Sequence, residues 1–170
     1  ARVETKKNQK LLRFLRDELH LTSVKMVVVR VPVEPDMIID GRTCKACVPD
    51  TDLLDGRNII TVEGLTEWEE KVYSMHTEAG AVQCGFCIPG MVMCTKALLD
   101  VNKGHDEEIK YALRNNYCRC TGYVKIIDAV RIAAKVMQEG TLPEEINNDW
   151  HIGSRVARID VGEKVLGTGK

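Results

Sequence analysis

The amino-acid sequence predicts an α+β protein in which a small mixed unit is followed by an all-helical unit. Before residue 64, one amphipathic helix is followed by short apolar runs that Asp-Gly turns separate. After residue 64, four helical patterns follow one another. A C-x2-C pair and a C-x-C pair of cysteines lie in loops of this second half. We therefore expect a small sheet-bearing unit and a four-helix bundle in one chain.

The elements of the first unit are short. Residues 8–21 predict an amphipathic helix, since apolar side chains recur at helical spacing while charged ones occupy the other face. These apolar residues are Leu11, Leu12, Leu15 and Leu19. Asp40-Gly41 lies between two apolar runs and predicts a hairpin. A second Asp-Gly turn, at Asp55-Gly56, precedes a predicted strand over 59–62.

The second unit is expected to contain four helices. Thr66 and Glu69 form a capping box at the start of the first helix. Asp106 is the expected N-cap of the third helix, and Gly140 ends the fourth. The four predicted helices span residues 66–80, 89–102, 106–116 and 124–140.

Composition argues against several classes of protein. The net charge of the 170-residue chain is −1 and no basic run is present, which argues against nucleic acid and anionic membranes as partners. No apolar stretch approaches the roughly 20 residues of a membrane span, and no signal-peptide pattern is recognisable at the start. Seven cysteines without a secretory signal indicate a reducing, cytoplasmic compartment, where thiols serve as metal ligands or redox groups.

Four cysteines are expected to meet at one site. An up-down arrangement of the four helices would bring the loop before the second helix and the loop before the fourth to the same end of the bundle. Gly85 and Gly122 would let these loops bend closely around a bulky group. The four cysteines are Cys84, Cys87, Cys118 and Cys120.

Three chemical interpretations of these thiols remain open from the residues alone. Four thiolates fit a [2Fe–2S] cluster, in which a pair of thiolates holds each iron. They also fit a structural zinc ion, although a C-x-C pair is tighter than the usual spacing of zinc ligands. The third interpretation is a set of reactive thiols without metal.

The segments "QCGFCIPGMVM" and "NNYCRCTGYVKIIDAV" resemble the iron–sulfur subunit or domain of the molybdenum hydroxylases, the xanthine dehydrogenase and aldehyde oxidoreductase family. The resemblance implies three regions. Residues 1–63 would be a ferredoxin-like β-grasp domain, and residues 64–140 a four-helix [2Fe–2S]-binding domain. Residues 141–170 would be a linker and the start of a molybdopterin-binding region.

The same resemblance implies roles for individual residues. Cys84, Cys87, Cys118 and Cys120 would be the ligands of the cluster nearest the molybdenum cofactor. Gln83 and Cys120 would also approach the pterin. Cys47 would be the fourth ligand of a second [2Fe–2S] cluster in the ferredoxin-like domain. No residue of the chain is expected to act as a catalytic acid, base or nucleophile.

The Val-rich stretch from Met26 to Asp36 departs from the family pattern. The resemblance places the other three ligands of the second cluster at Val27, Pro32 and Pro35, none of which can bind iron. A permitted coding of this stretch, read from its third base, gives Gly-Cys-Gly-Glu-Gly-Ala-Cys-Gly-Thr followed by the first two bases of a cysteine codon. This resembles the family's cysteine-rich loop, Gly-Cys-Gly-Glu-Gly-Ala-Cys-Gly-Thr-Cys. Our hypothesis is a compensated two-base frameshift, and the alternative is a member that has lost this cluster.

The expected function is that of an electron-transfer module. Electrons would pass from a molybdopterin centre, in a partner domain or subunit, through the [2Fe–2S] clusters to a flavin such as FAD or to another acceptor. The substrate, a purine or an aldehyde by analogy, would react elsewhere. The alternatives are a zinc-stabilised structural or interaction module and a scaffold that keeps one cluster without passing electrons onward.

Overall fold

The computed structural model describes residues 3–25, 35–101, 104–143, 151–154 and 158–169, and it confirms the α+β class. The strands are β1 (Met37–Ile39), β2 (Arg42–Cys44) and β3 (Ile59–Ile60). The helices are α1 (Leu11–Arg13), α2 (Glu67–Tyr73), α3 (Met75–Glu78), α4 (Ile88–Leu99), α5 (Asp106–Leu113), α6 (Val124–Glu139) and α7 (Val161–Val165). The first helix continues as a π-helical turn over Phe14–Glu18.

The N-terminal unit is built on an antiparallel sheet with the strand order β2-β1-β3. The predicted hairpin is present: Asp40 and Gly41 both have positive φ and connect β1 to β2. One face of the first helix packs on this sheet, because its apolar side chains are buried. The buried residues of this core are Leu11, Leu12, Phe14, Leu15, Val24, Met37 and Ala46.

The helical half begins at the predicted capping box, in which the backbone N–H of Glu69 donates to the Thr66 hydroxyl. The first predicted helix is divided at Ser74 into α2 and α3. The N-cap of α5 is His105 and not Asp106, because Glu108 accepts the His105 backbone N–H at 3.0 Å. None of the described helices combines the length and apolar character needed to cross a bilayer.

The helical core includes residues from the N-terminal sheet and from the last helix. Helices α2 and α3 pack on α6, and α4 and α5 pack on each other. Ile38 of β1 and Val161 and Val165 of α7 are buried in the same apolar cluster. The proposed division of the chain after residues 63 and 140 therefore remains a prediction, since this core reaches beyond both positions.

The N-terminal unit contacts the helical half at Gly90. A Cβ atom at Gly90 would lie 2.9 Å from the carbonyl oxygen of Pro35, too close for any side chain at this position. The same carbonyl accepts a hydrogen bond from the Asn116 side-chain amide at 3.3 Å. Pro35 is buried in this contact, whereas Val27 and Pro32, the other positions assigned to missing ligands, lie outside the described residues.

His76 is a buried titratable group in α3. Its side chain is fully buried, and its Nδ1 lies 3.1 Å from the carbonyl oxygen of Tyr73. Its Nε2 has no hydrogen-bond partner among the described residues. Burial lowers the pKa of His76 to about 4, although the hydrogen bond with Tyr73 acts in the opposite direction. The imidazole is therefore neutral in the folded protein at physiological pH.

Replacement of His76 by Leu is expected to reduce the pH dependence of stability. Because the unfolded chain binds a proton near pH 6.5 and the folded chain only near pH 4, this contribution to stability is present above pH 6.5 and is lost as the pH falls toward 4. Between pH 7.5 and 5, the loss is about 2 kcal/mol. Urea unfolding of both proteins at these two pH values measures it. An equal loss in His76→Leu would contradict this explanation.

Candidate metal centre

Four cysteines lie in two loops that meet at one end of the helical half, as the sequence predicted. The sulfur atoms of Cys84 and Cys120 are 3.6 Å apart, although the two residues are 36 positions apart in the chain. The thiol of Cys87 hydrogen-bonds to Cys118, which forms a second pair. Cys84 and Cys120 are exposed, Cys87 is buried and Cys118 is half-buried. One pair therefore faces the surface and the other faces the core.

The first loop bends sharply and then enters a helix. Gly85 has a φ of +84°, a conformation that L side chains rarely adopt. Cys87 is the N-cap of α4, and its carbonyl accepts the Met91 backbone N–H at 3.0 Å. Because the N-terminal end of a helix carries partial positive charge, this end of α4 is a favourable place for a negatively charged group.

The second loop is held together by Thr121 and Tyr123, which the sequence analysis did not identify. The Thr121 hydroxyl donates to the Cys118 sulfur at 3.1 Å and accepts the Tyr123 backbone N–H at 3.2 Å. The Tyr123 hydroxyl in turn accepts the Cys118 backbone N–H at 2.8 Å. The signal in the sequence was a hydroxyl residue three positions after a cysteine, which by itself is common.

These contacts separate the pKa values of the thiols. Burial raises the pKa of Cys118, but hydrogen bonds from the Thr121 hydroxyl, the backbone and the Cys87 thiol outweigh it, so that the pKa is lower than usual. The hydrogen bond between Cys120 and Cys84 raises the pKa of Cys120. Cys118 therefore ionises more readily than an ordinary thiol, as a metal ligand must.

The arrangement of the sulfur atoms matches the donor set of a two-iron cluster. The cysteines form two pairs, Cys84 with Cys120 and Cys87 with Cys118. A [2Fe–2S] cluster needs two thiolates on each of two irons, which is the donor set that these pairs supply.

Gln83 connects the two loops. Its side-chain amide donates to the backbone carbonyl oxygen of Cys120 at 2.9 Å. The backbone carbonyl oxygen of Gln83 accepts a hydrogen bond from Arg158 at 2.9 Å. The side chain is exposed beside the exposed thiols of Cys84 and Cys120. A partner that covers this surface would meet Gln83 and both sulfur atoms together.

Cys47 lies apart from the four converging cysteines, partly buried against the core of the N-terminal unit. Burial and the nearby Asp36 carboxylate raise the pKa of Cys47, which favours the neutral thiol. Cys47, Lys25 and Phe86 line a cavity of about 480 Å³. The Lys25 ammonium lies 5.1 Å from the centre of the Phe86 ring, so this cavity extends to the loop between Cys84 and Cys87.

Substitution of Thr121 by Val is expected to slow alkylation of Cys118 in the metal-free chain. Loss of the hydroxyl donor raises the pKa of Cys118 and lowers the thiolate fraction at neutral pH, by about fivefold for a hydrogen bond of ~1 kcal/mol. Alkylation by iodoacetamide across pH, with mass detection of the modified peptide, measures this change. Thr121→Ser keeps the hydroxyl and serves as the control. Equal pH profiles for Val and Thr would contradict the assignment.

Comparison with known proteins identifies relatives of this chain. A family model described as a [2Fe–2S] binding domain matches residues 61–131. The nicotinate dehydrogenase small FeS subunit of Eubacterium barkeri is 42% identical over 137 residues, which cover 78% of this chain and 87% of the relative. The aldehyde oxidoreductase of Megalodesulfovibrio gigas is 36% identical over 170 residues, which cover 91% of this chain but only 18% of the relative.

Solved structures of related enzymes have the same fold as this chain. Aldehyde oxidoreductase from Desulfovibrio desulfuricans superimposes with a TM-score of 0.88 and 30% identity, and the match covers all of this chain and 20% of that one. Quinoline 2-oxidoreductase from Pseudomonas putida matches with a TM-score of 0.72 and 30% identity, over 80% of this chain and 88% of that one. The chain thus spans a small subunit in some relatives and about a fifth of a larger protein in others. By identity, coverage and fold, it belongs to the iron–sulfur subunits and domains of the xanthine dehydrogenase and aldehyde oxidoreductase family.

Proposed function

We propose that this chain is the electron-transfer module of a molybdenum hydroxylase. The observation that carries the proposal is the convergence of two thiol pairs, Cys84 with Cys120 and Cys87 with Cys118, at one end of a helical domain. The membership of the chain in a [2Fe–2S] family supports the same function. A bound [2Fe–2S] cluster would supply one-electron transfer.

The chain's own residues hold the cluster and adjust its environment. The ligands would be Cys84, Cys87, Cys118 and Cys120. The hydroxyl of Thr121 would stabilise the negative charge on the Cys118 sulfur through its hydrogen bond. Gln83 and the exposed thiol of Cys120 would meet the pterin of the molybdenum cofactor, since both lie at the surface beside the exposed sulfur pair.

The partner would be a molybdopterin-binding domain or subunit, with a flavin domain or subunit as a further electron acceptor. Relatives are named for nicotinate, aldehyde and xanthine, so the substrate of the complete enzyme would be an N-heterocycle, such as a purine, or an aldehyde. The substrate would bind in the partner, which would carry the molybdenum centre where it reacts. A reducing, cytoplasmic location suits the seven free cysteines.

The comparisons do not support a zinc-stabilised module without electron transfer, since both the matching family model and the Eubacterium barkeri relative carry iron–sulfur names. Iron analysis with visible and EPR spectra tests the choice. The chain as written should bind about two irons and show the EPR signal of one reduced [2Fe–2S] cluster. Cys118→Ser should abolish or strongly change that signal, whereas Cys44→Ser, outside the centre, should leave it unchanged. A colourless chain that holds zinc would overturn the proposal.

The second cluster depends on the stretch from Met26 to Asp36. If a frameshift altered this stretch, the protein from its natural source should contain about four irons per chain, with Cys47 as a ligand. If the written sequence is correct, it should contain about two, because Val and Pro side chains cannot bind iron. Iron analysis together with peptide masses across the stretch decides the question. Two irons with the Val-rich peptide confirmed by mass would end the frameshift hypothesis.

A further inference from the structure

A C-terminal segment, which we call the strap (residues 158–169), lies across the first cysteine loop. It is outside the residues matched by the family model, which end at 131. Its helix α7 packs against α4 and α3. Val161 and Val165 anchor it, since they are 4% and 0% exposed in the helical core. The strap is therefore fixed to the body of the protein and does not depend on surface contacts alone.

Two cations of the strap bind the peptide that precedes Cys84. The Arg158 guanidinium donates to the Gln83 carbonyl oxygen at 2.9 Å, and the Lys164 ammonium lies 3.4 Å from the same oxygen. Asp160 holds both cations in place, accepting from Arg158 at 2.8 Å and from Lys164 at 2.5 Å. One carbonyl oxygen thus receives two charged donors, whose orientation a third side chain fixes.

The stem of Lys164 covers Gly85. A Cβ atom at Gly85 would lie 2.9 Å from three carbon atoms of Lys164, so the stem occupies the space beside this residue. Glycine lets the loop adopt its bend but leaves the backbone free to adopt others. Contacts from outside the loop therefore help to hold its backbone, and with it Cys84, in one conformation. The strap makes such contacts at Gln83 and Gly85.

The far end of the strap is also closely packed. Gly167 has a φ of +73°, and a Cβ atom there would lie 2.8 Å from Ser23 Cβ and 2.9 Å from Val62 Cγ1. Ser23 itself donates its hydroxyl to Glu63 at 2.6 Å. The strap is thus held by the N-terminal unit at one end and by the helical core in its middle.

We infer that Arg158 and Lys164 are positioning residues for the cluster, which hold the Gln83–Gly85 loop so that the Cys84 sulfur stays beside Cys120. The inference rests on the proposed function and goes beyond it, because it assigns a role to residues outside the cysteine motifs. Their positive charges also lie at the first ligand loop, where they favour the reduced, more negative form of the cluster.

Three variants of the 170-residue chain test the inference: Arg158→Gln, Lys164→Met, which keeps the stem and removes the charge, and Lys164→Arg, which restores a cation. The loss of visible absorption in the presence of an iron chelator should be about tenfold faster in the first two than in the wild type, as expected for one charge-assisted hydrogen bond. Their reduction midpoint potentials should be lower. Lys164→Arg should recover most of both properties.

Two controls separate positioning from general stability. Lys135→Met removes an exposed cation of α6 that pairs with Glu139, and it should leave both properties unchanged. Val136→Ala, in the core late in α6 and outside the strap, should lower the unfolding temperature without moving the midpoint potential. If the wild type holds a cluster but the midpoint potentials of Arg158→Gln and Lys164→Met equal those of the controls, the inference is wrong and the proposed function still stands. If the wild type holds no [2Fe–2S] cluster, the proposed function and the inference fail together.

Discussion

The approach of the Cys84 and Cys120 sulfur atoms to 3.6 Å is the constraint on which the helical half depends. It requires that α4 and α6 begin at the same end of the bundle, because each cysteine pair lies just before one of these helices. Helix α6 can pack closely against its neighbours in this arrangement because several side chains on its buried face are small. Its buried residues are Ile126, Ala129, Val130, Ala133, Ala134 and Val136.

Local patterns in the sequence were sufficient to predict much of the helical half. The capping box at Thr66 and the end of α6 at Gly140 are properties of a few adjacent residues, and both are present. The convergence of the two cysteine loops also followed from local information, since four consecutive helices with short loops have few ways to pack. The division of the first helix at Ser74 did not follow, because no Pro or Gly marks it.

What could not be predicted depends on contacts between distant residues. The segment after residue 140 reads as polar and loop-like, and only the folded core shows that Val161 and Val165 belong to it. The role of Thr121 depends on the direction of one hydroxyl, which no periodicity encodes. In the N-terminal unit, Asp36 accepts the backbone N–H of Ala46 at 2.8 Å and that of Lys25 at 3.1 Å. This carboxylate ties together the segments on either side of the Val-rich stretch.

The long separation along the chain between paired cysteines has a consequence for biosynthesis. Cys84 and Cys120 are 36 positions apart, so their pair does not exist until translation has passed Cys120 and the intervening helices have packed. Before that moment, iron could meet only the C-x2-C half of the donor set. The complete set of four thiolates is therefore available to iron only when this region has its tertiary fold. Substitutions in the buried face of α5, which carries none of the four cysteines, would then lower iron occupancy by weakening the packing that brings the two cysteine loops together.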